Sequence, residues 1–377
     1  LDIRKINYLE TGEVLARGQV LEHHVGLKET TDRAFQALGE KVTAKGNVKI
    51  GRGIASGMTS YGRMVFLHDT SRSHVSVEMD GSVTIRAGVQ DIGGGQASSL
   101  CQIVAEVLGV PLEEIKIYIA DTALTPLAGT TTATRQLYMS GNATLMAARE
   151  IRKTLLKKAG EMMEIDPQRL DLADKEVIDT EGSDKSLSLI EVVRACASDG
   201  LPLYHVALFK APFRNLTQYE RIEGQVFPDF TFGTHAVEVA VDEEIGKVLV
   251  LKLISCYDVG RTINRLSVEG QLEGGAIYGM GYGLTEEVVL EKGITMTPSF
   301  SEYLLPTAMD VPEIQTILIE SGDGVGPFGA KGVGEPSVCS VAPAIANAVY
   351  DAIGVRIYDL PLTPEKIVRA LKEKNEE

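Results

Sequence analysis

The sequence predicts an α+β fold of two related α/β lobes, with mixed sheets and packed helices. Two observations carry that prediction. Residues 74–93 and 235–260 share one plan: alternating apolar residues, an acidic turn, more alternation, then Asp-Ile-Gly or Asp-Val-Gly leading to a helix. The chain, at 377 residues, is also long enough for two domain-sized units.

The elements follow in order. "TTDRAFQALGEK" reads as a short helix capped by Thr31 or Asp32. Val75, Val77 and Met79 alternate, Asp80-Gly81 turns, and Val83 and Ile85 resume the alternation, which is a hairpin signal. "ASSLCQIVAEVLG" is a helix closed by Gly109, and "IKIYIAD" is a strand that ends on Asp121. A long polar loop then enters a helix near Ala143, and residues 159–190 read as charged, irregular surface excursions. In the second half, "HAVEVAVDEEIGKVLVLKLISCYDVG" repeats the strand, acidic turn and strand. "LSVEGQLEGGAIYGMGYGL" is a helix whose Gly275, Gly279 and Gly283 make one smooth face for close packing. "SVAPAIANAVYDAIG" is a buried, Ala-rich helix, and "LTPEKIVRALKEKNEE" opens with Thr363 as cap and Pro364 at the first helical position.

Composition narrows the function classes. A formal net charge of −15 argues against a nucleic-acid or anionic-membrane surface. No apolar run reaches the roughly 20 residues of a membrane-spanning helix, and the first residues lack a signal-peptide core. Cys101, Cys196, Cys256 and Cys339 are scattered, with no CxxC pair, which predicts buried thiols in a reducing cytoplasm and no metal ligands from this chain.

Four stretches could carry chemistry. "GVQDIGGGQAS" places Gly93, Gly94, Gly95 and Gln96 just before a helix, where bare amides suit a polar ligand atom or a tight turn. Its spacing is not that of a dinucleotide fingerprint. "AGTTTATRQ" sets Thr131, Thr132, Ala133 and Thr134 beside Arg135 and Gln136, either as a solvated loop or as a wrap for a ligand rich in donors and acceptors. "YDVGRTINRLSVEGQLEGG" puts Gln271 on a glycine-rich helix, able to donate and accept at once. "GPFGAKGVGEPS" holds one carboxylate, Glu335, between Gly334 and Pro336; on a rigid turn in partly apolar surroundings it suits a general base, and on an exposed turn it is only solvated.

Taken together these stretches resemble one family. "GAKGVGEPS" followed by "APAIANAVYDAIGVRIYDLPLTPEKI" is similar to the C-terminal signature of the molybdenum hydroxylases, the xanthine dehydrogenase, aldehyde oxidoreductase and carbon monoxide dehydrogenase group. "TATRQLYMSGNA", "YDVGRTINRLSVEGQLEGG" and "SFSEYLLPTAMDVPEI" match the same family in the same order. The resemblance implies a molybdenum–molybdopterin cofactor, with its dinucleotide form and its sulfido or selenido ligand left open. It implies that Glu335 is the general base in hydroxylation of a purine, another N-heterocycle or an aldehyde, with water as the oxygen source. It also implies that residues 131–136, Gln271 and the Lys331, Gly332, Val333 and Gly334 run hold the cofactor. The family's Gly-Gln-Gly loop stands here as Gly93-Gly94-Gly95 with the glutamine displaced to Gln96, which leaves a backbone amide or Gln96 itself to make the contact.

The resemblance further implies a connecting segment and helix over 1–50, a first cofactor-binding lobe over 51–230 and a second over 231–377. The family's molybdenum subunit is about twice this long, so the expectation is a split subunit or a C-terminal fragment, inactive without an N-terminal half. Iron–sulfur and FAD groups are expected on partner chains in a cytoplasmic complex. A non-catalytic scaffold or assembly homologue of the same fold is the alternative; a module for a phosphorylated small molecule is a further one.

Overall fold

The computed structural model describes residues 1–182, 185–213 and 223–376. A short helix α1 (Asp2–Ile6) and a longer α2 (Leu27–Ala37) precede strand β1 (Val48–Tyr61). The first hairpin, β2 (Thr70–Val77) and β3 (Val83–Ala87), leads into α3 (Gln96–Leu108) and β4 (Ile115–Ile119). Helix α4 (Asn142–Met163) is followed by β5 (Leu170–Ala173), β6 (Glu176–Asp179), β7 (Ser186–Ser188), α5 (Leu189–Ser198) and β8 (Tyr204–Lys210). The second hairpin, β9 (Asp229–Asp242) and β10 (Val248–Asp258), leads into α6 (Arg265–Leu284). A ribbon of β11 (Leu290–Glu291) and β12 (Ile294–Thr295), strand β13 (Glu313–Ile319), α7 (Val341–Ile353) and α8 (Pro364–Glu376) complete the order.

The repeated plan in the sequence becomes a repeated topology. One four-stranded sheet runs β4-β3-β2-β8 and the other β13-β10-β9-β1. In each, the hairpin is antiparallel, and the strand after the crossover helix lies parallel to the hairpin's second strand. An outer strand then runs antiparallel to the hairpin's first strand. That outer strand follows the hairpin in one sheet (β8) and precedes it in the other (β1). Residues 51–61, expected with the first lobe, therefore pair with β9 along β1, from Val48↔Asp242 to Tyr61↔Asp229.

Helices α3 and α4 pack on the first sheet as α6 and α7 pack on the second. Val75, Ile85 and Ile115 meet Ile103, Leu145 and Ile151 in one core; Val237, Val239 and Leu253 meet Ala344, Ala348 and Val349 in the other. The smooth glycine face of α6 does what its spacing predicts. A Cβ on Gly279 would lie 2.5 Å from Val341 Cβ, so only glycine lets α6 and α7 approach this closely.

Three local expectations change. Helix α2 starts at Leu27 with Gly26 as cap; Thr31 sits inside it, its hydroxyl 2.8 Å from Leu27 O and 2.9 Å from Ser56 Oγ. Its position is set by packing on the second sheet rather than by a capping side chain. The described residues of 159–190 are not irregular: they finish α4 and form the antiparallel β5-β6-β7 sheet, with Leu170, Leu172, Val177 and Leu189 buried in the first core. Of the thiols, Cys196 and Cys256 are buried, Cys101 is half-buried and Cys339 is exposed. Among the described residues no helix is long and apolar enough to cross a membrane.

Candidate functional site

Loops that follow β3, β4, β10 and β13 line one cleft. A crevice outside the carboxyl ends of strands is where α/β sheets place ligands. Here it is a cleft of about 370 Å³ between the two sheets' loops. Ile92, Leu137, Val259, Ile263 and Val333 give it apolar walls, and Gln96, Thr131, Thr132, Gln271 and Glu335 give it polar points.

The glycine loop is tied by its own first residue. Asp91 Oδ1 accepts from the amides of Gly93 at 3.0 Å and Gly95 at 3.2 Å, so these amides are not bare. Gly95, at φ 70°, caps α3. A Cβ on Gly94 would fall 2.5 Å from Gln96 Nε2 and 3.0 Å from its Oε1. The Gln96 amide thus occupies the space of the side chain that residue 94 lacks. Its Oε1 is buried without a hydrogen-bond partner among the described residues, and the residue lines the cleft.

The loop entering α4 is held from within. The Arg135 guanidinium is fully buried and bidentate to Asp69, with both contacts at 2.6 Å, and it also donates to Thr130 O at 2.8 Å and Ala128 O at 3.1 Å. Gln136 Nε2 donates to Gly129 O at 3.0 Å and its Oε1 accepts from Ser140 at 2.8 Å. Both charged and amide groups, read from the sequence as ligand contacts, are therefore engaged in shaping the loop. Ala133 and Thr134 adopt φ of 51° and 49°, a left-handed conformation that non-glycine residues keep only where the surroundings impose it. That pair turns the Thr134 hydroxyl toward the other lobe.

The loop entering α7 mirrors this. Lys331 Nζ is buried, 2.8 Å from Asp258 Oδ2 and 2.7 Å from His24 O. Asp258 also accepts from Ser321 at 3.0 Å and contacts His24 Nδ1 at 2.9 Å. The Tyr257 hydroxyl donates to Pro336 O at 2.7 Å, and burial pushes that phenol's pKa up. Glu335 is exposed at the cleft rim, not enclosed in apolar surroundings. Thr134 Oγ1 donates to its Oε2 at 3.1 Å and accepts from its amide at 3.2 Å. Gln271 Nε2 donates to Gly93 O at 3.1 Å, and Asn264 Nδ2 donates to Ser98 Oγ at 2.9 Å, so the lobes are stitched on the other side too.

Of the residues singled out in the sequence, Gly94, Gln96, Thr131, Thr132, Thr134, Arg135, Gln136, Gln271, Lys331, Gly332, Val333, Gly334 and Glu335 line one cleft. Gly93, Gly95 and Ala133 are not among its lining residues. Sequence reasoning missed Asp69 and Asp258 as anchors, and Ser267 and Val268 as wall residues. A second cavity, of about 960 Å³, adjoins the first and shares Arg261 and Ile263 with it. Gln102 lines it, and its Oε1 is buried without a hydrogen-bond partner among the described residues.

The sequence model of a family described as "Molybdopterin cofactor-binding domain" matches residues 27–312. The chain is 32% identical to the nicotine 6-hydroxylase large subunit of Paenarthrobacter nicotinovorans over 376 residues, covering 96% of this chain and 45% of that protein. It is 28% identical to a putative xanthine dehydrogenase molybdenum-binding subunit of Escherichia coli, covering 86% of this chain and 42% of that one. The structure of reconstituted CO dehydrogenase from Oligotropha carboxidovorans superposes with a TM-score of 0.83 at 21% identity, over 100% of this chain and 49% of that chain. The chain thus spans a little under half the length of the relatives it matches.

Proposed function

The chain belongs to the molybdopterin cofactor-binding family, and from that premise we propose that it supplies the cofactor cleft of a molybdenum-dependent hydroxylase. The substrate class is a purine, another N-heterocycle or an aldehyde. The observation that carries the reading is Glu335: an exposed carboxylate, oriented by a hydroxyl from the opposite lobe, at the rim of a cleft whose buried cations, Arg135 and Lys331, are each paired with an aspartate. Nothing in the packing calls for a carboxylate there.

The residues present fit a pterin. A flat heterocycle bearing donors and acceptors suits apolar walls with a few polar points, and the unpartnered Gln96 Oε1 is an acceptor awaiting an N–H or O–H. Gln96, Gln271 and the Thr132 hydroxyl would hold its edge, while the Thr131 hydroxyl, which donates to Gln90 O at 2.7 Å and accepts from Gln136 Nε2 at 3.1 Å, would brace the loop; Gly332, Val333 and Gly334 would let the backbone come close. Arg135, Lys331 and Gln136 would set the loops. When bound, the molybdenum–pterin group supplies a centre that takes two electrons from the substrate while water supplies the oxygen. Glu335 is placed to accept the proton released in that reaction.

The adjoining cavity, with a Gln102 oxygen unpartnered among the described residues, supports the dinucleotide form of the pterin. Arg261, exposed between the two cavities and without an ion pair among the described residues, suits the bridging phosphates. In this reading a partner half of the subunit completes the pocket. Iron–sulfur and FAD proteins carry the electrons away, and the complex works in the cytoplasm. The two lobes are the β4-β3-β2-β8 unit and the β1-β9-β10-β13 unit.

Glu335→Gln in the intact complex tests the reading. Molybdenum and pterin content should stay unchanged while kcat falls about 10²- to 10⁴-fold. Unchanged turnover at full metal content would leave the non-catalytic scaffold as the better account.

A further inference from the structure

The two sheets differ in one respect that their shared topology makes readable. The second sheet is covered on both faces. Ala55, Val237 and Leu253 meet α7, while Ile54, Ala236 and Ile254 meet Ala34 and Leu38 at α2. The outer face also grips the end of that helix: Arg52 donates to Gly39 O at 2.8 Å and Lys252 Nζ to Ala37 O at 3.0 Å. Cations at a helix C-terminus satisfy its unpaired carbonyls and oppose its dipole.

In the first sheet, among the described residues, only the face toward α3 and α4 is covered. The register puts Val206, His74, Arg86 and Tyr118 in one row across the other face, flanked by Tyr204 and Leu208 on β8. Tyr118, Tyr204, Val206 and Leu208 are 42%, 61%, 49% and 45% exposed. Arg72, Arg86 and Lys116 share this face and form no ion pair among the described residues. His74 Nδ1 is buried there without a hydrogen-bond partner among the described residues. Counted from its hairpin turn, His74–Arg86 is the fourth pair, as Glu238–Lys252, which lies under the end of α2, is in the other sheet.

We propose that this open face docks a helix from the remaining half of the subunit, as α2 docks on the equivalent face of the second sheet. The inference rests on the partner-half reading above and names where that half sits. The occupant's chemistry follows from the face. An apolar stripe would lie over Val206, Tyr204, Leu208 and Tyr118. The helix's C-terminal carbonyls, or carboxylates, would meet Arg72 and Arg86. The relatives have the length to supply it, since this chain spans 45% and 42% of theirs.

The test co-produces this chain, tagged, with the remaining half of the subunit as a separate polypeptide. Dissociation is followed by sedimentation at decreasing concentration. The wild-type pair should form one to one. A Val206→Glu, Leu208→Glu variant should weaken it at least ten-fold with far-UV circular dichroism and Tm of the chain retained. Ile245→Glu, at an equally exposed turn, should leave it unchanged. Undiminished pairing by the double variant would overturn the docking face while the partner reading stands. Self-association of the chain alone, lost in the variant, would assign the face to a second copy and overturn the proposal. No pairing by the wild-type chain would overturn both.

Discussion

The loops entering α4 and α7 occupy equivalent places in the two sheets, and each is pinned by a buried cation on an aspartate. They differ in what surrounds the pair. Among the described residues Asp69 has Arg135 alone as its charged partner, bidentate and completely buried. Asp258 is shared among Lys331, His24, Ser321 and the Gly260 amide. They differ also in what they present. The first loop turns its charge and its glutamine inward and offers hydroxyls. The second ends on the exposed Glu335. A repeated topology thus presents one loop that offers a threonine hydroxyl and one that ends on a carboxylate, joined at Thr134.

The largest effect that could break this comparison is on stability. Arg135→Met leaves Asp69 buried and unpaired, and should cost about 3–5 kcal/mol in urea unfolding. Lys331→Met should cost less, because Asp258 retains three other partners. Equal costs would remove the contrast between the loops.

A pH measurement sharpens it from the second lobe. His235 on β9 is fully buried beside Ser340 of the α7 loop, and burial holds its pKa at about 3 against an ordinary 6.5. The unfolded chain takes up a proton near pH 6.5 that the folded chain refuses until about pH 3. Stability therefore falls as the pH drops through that window, by up to about 1.4 kcal/mol for each pH unit. His235→Gln should flatten the difference between pH 6.5 and 5; an unaltered slope would place the sensitivity elsewhere. The smallest effect concerns the stitch between lobes. Gln271→Ala removes one bond to Gly93 O and should cost about 0.5–1.5 kcal/mol in the same assay. A larger loss would mean that the lobes depend on that one contact.

These details mark where sequence reading stops. Hairpins, the Gly109 cap and the Gly275, Gly279 and Gly283 face were legible because each is written in local spacing. So was the set of loops that make the cleft. The partners of Arg135 and Lys331 were not, since Asp69 and Asp258 lie 66 and 73 residues away and nothing local marks them. The same holds for Thr31, which looks like a cap but bonds across to Ser56, and for Leu170, Leu172 and Val177, whose strands are hidden among charges. The folding back of Gln96 over Gly94 needed coordinates, although the displaced glutamine pointed to the place.

The central claim is that the two loops close on a molybdenum–pterin group. Elemental and pterin analysis of the gently purified native complex tests it most directly. The account predicts about one molybdenum and one pterin for each copy of this chain. An intact, folded complex holding neither would contradict it.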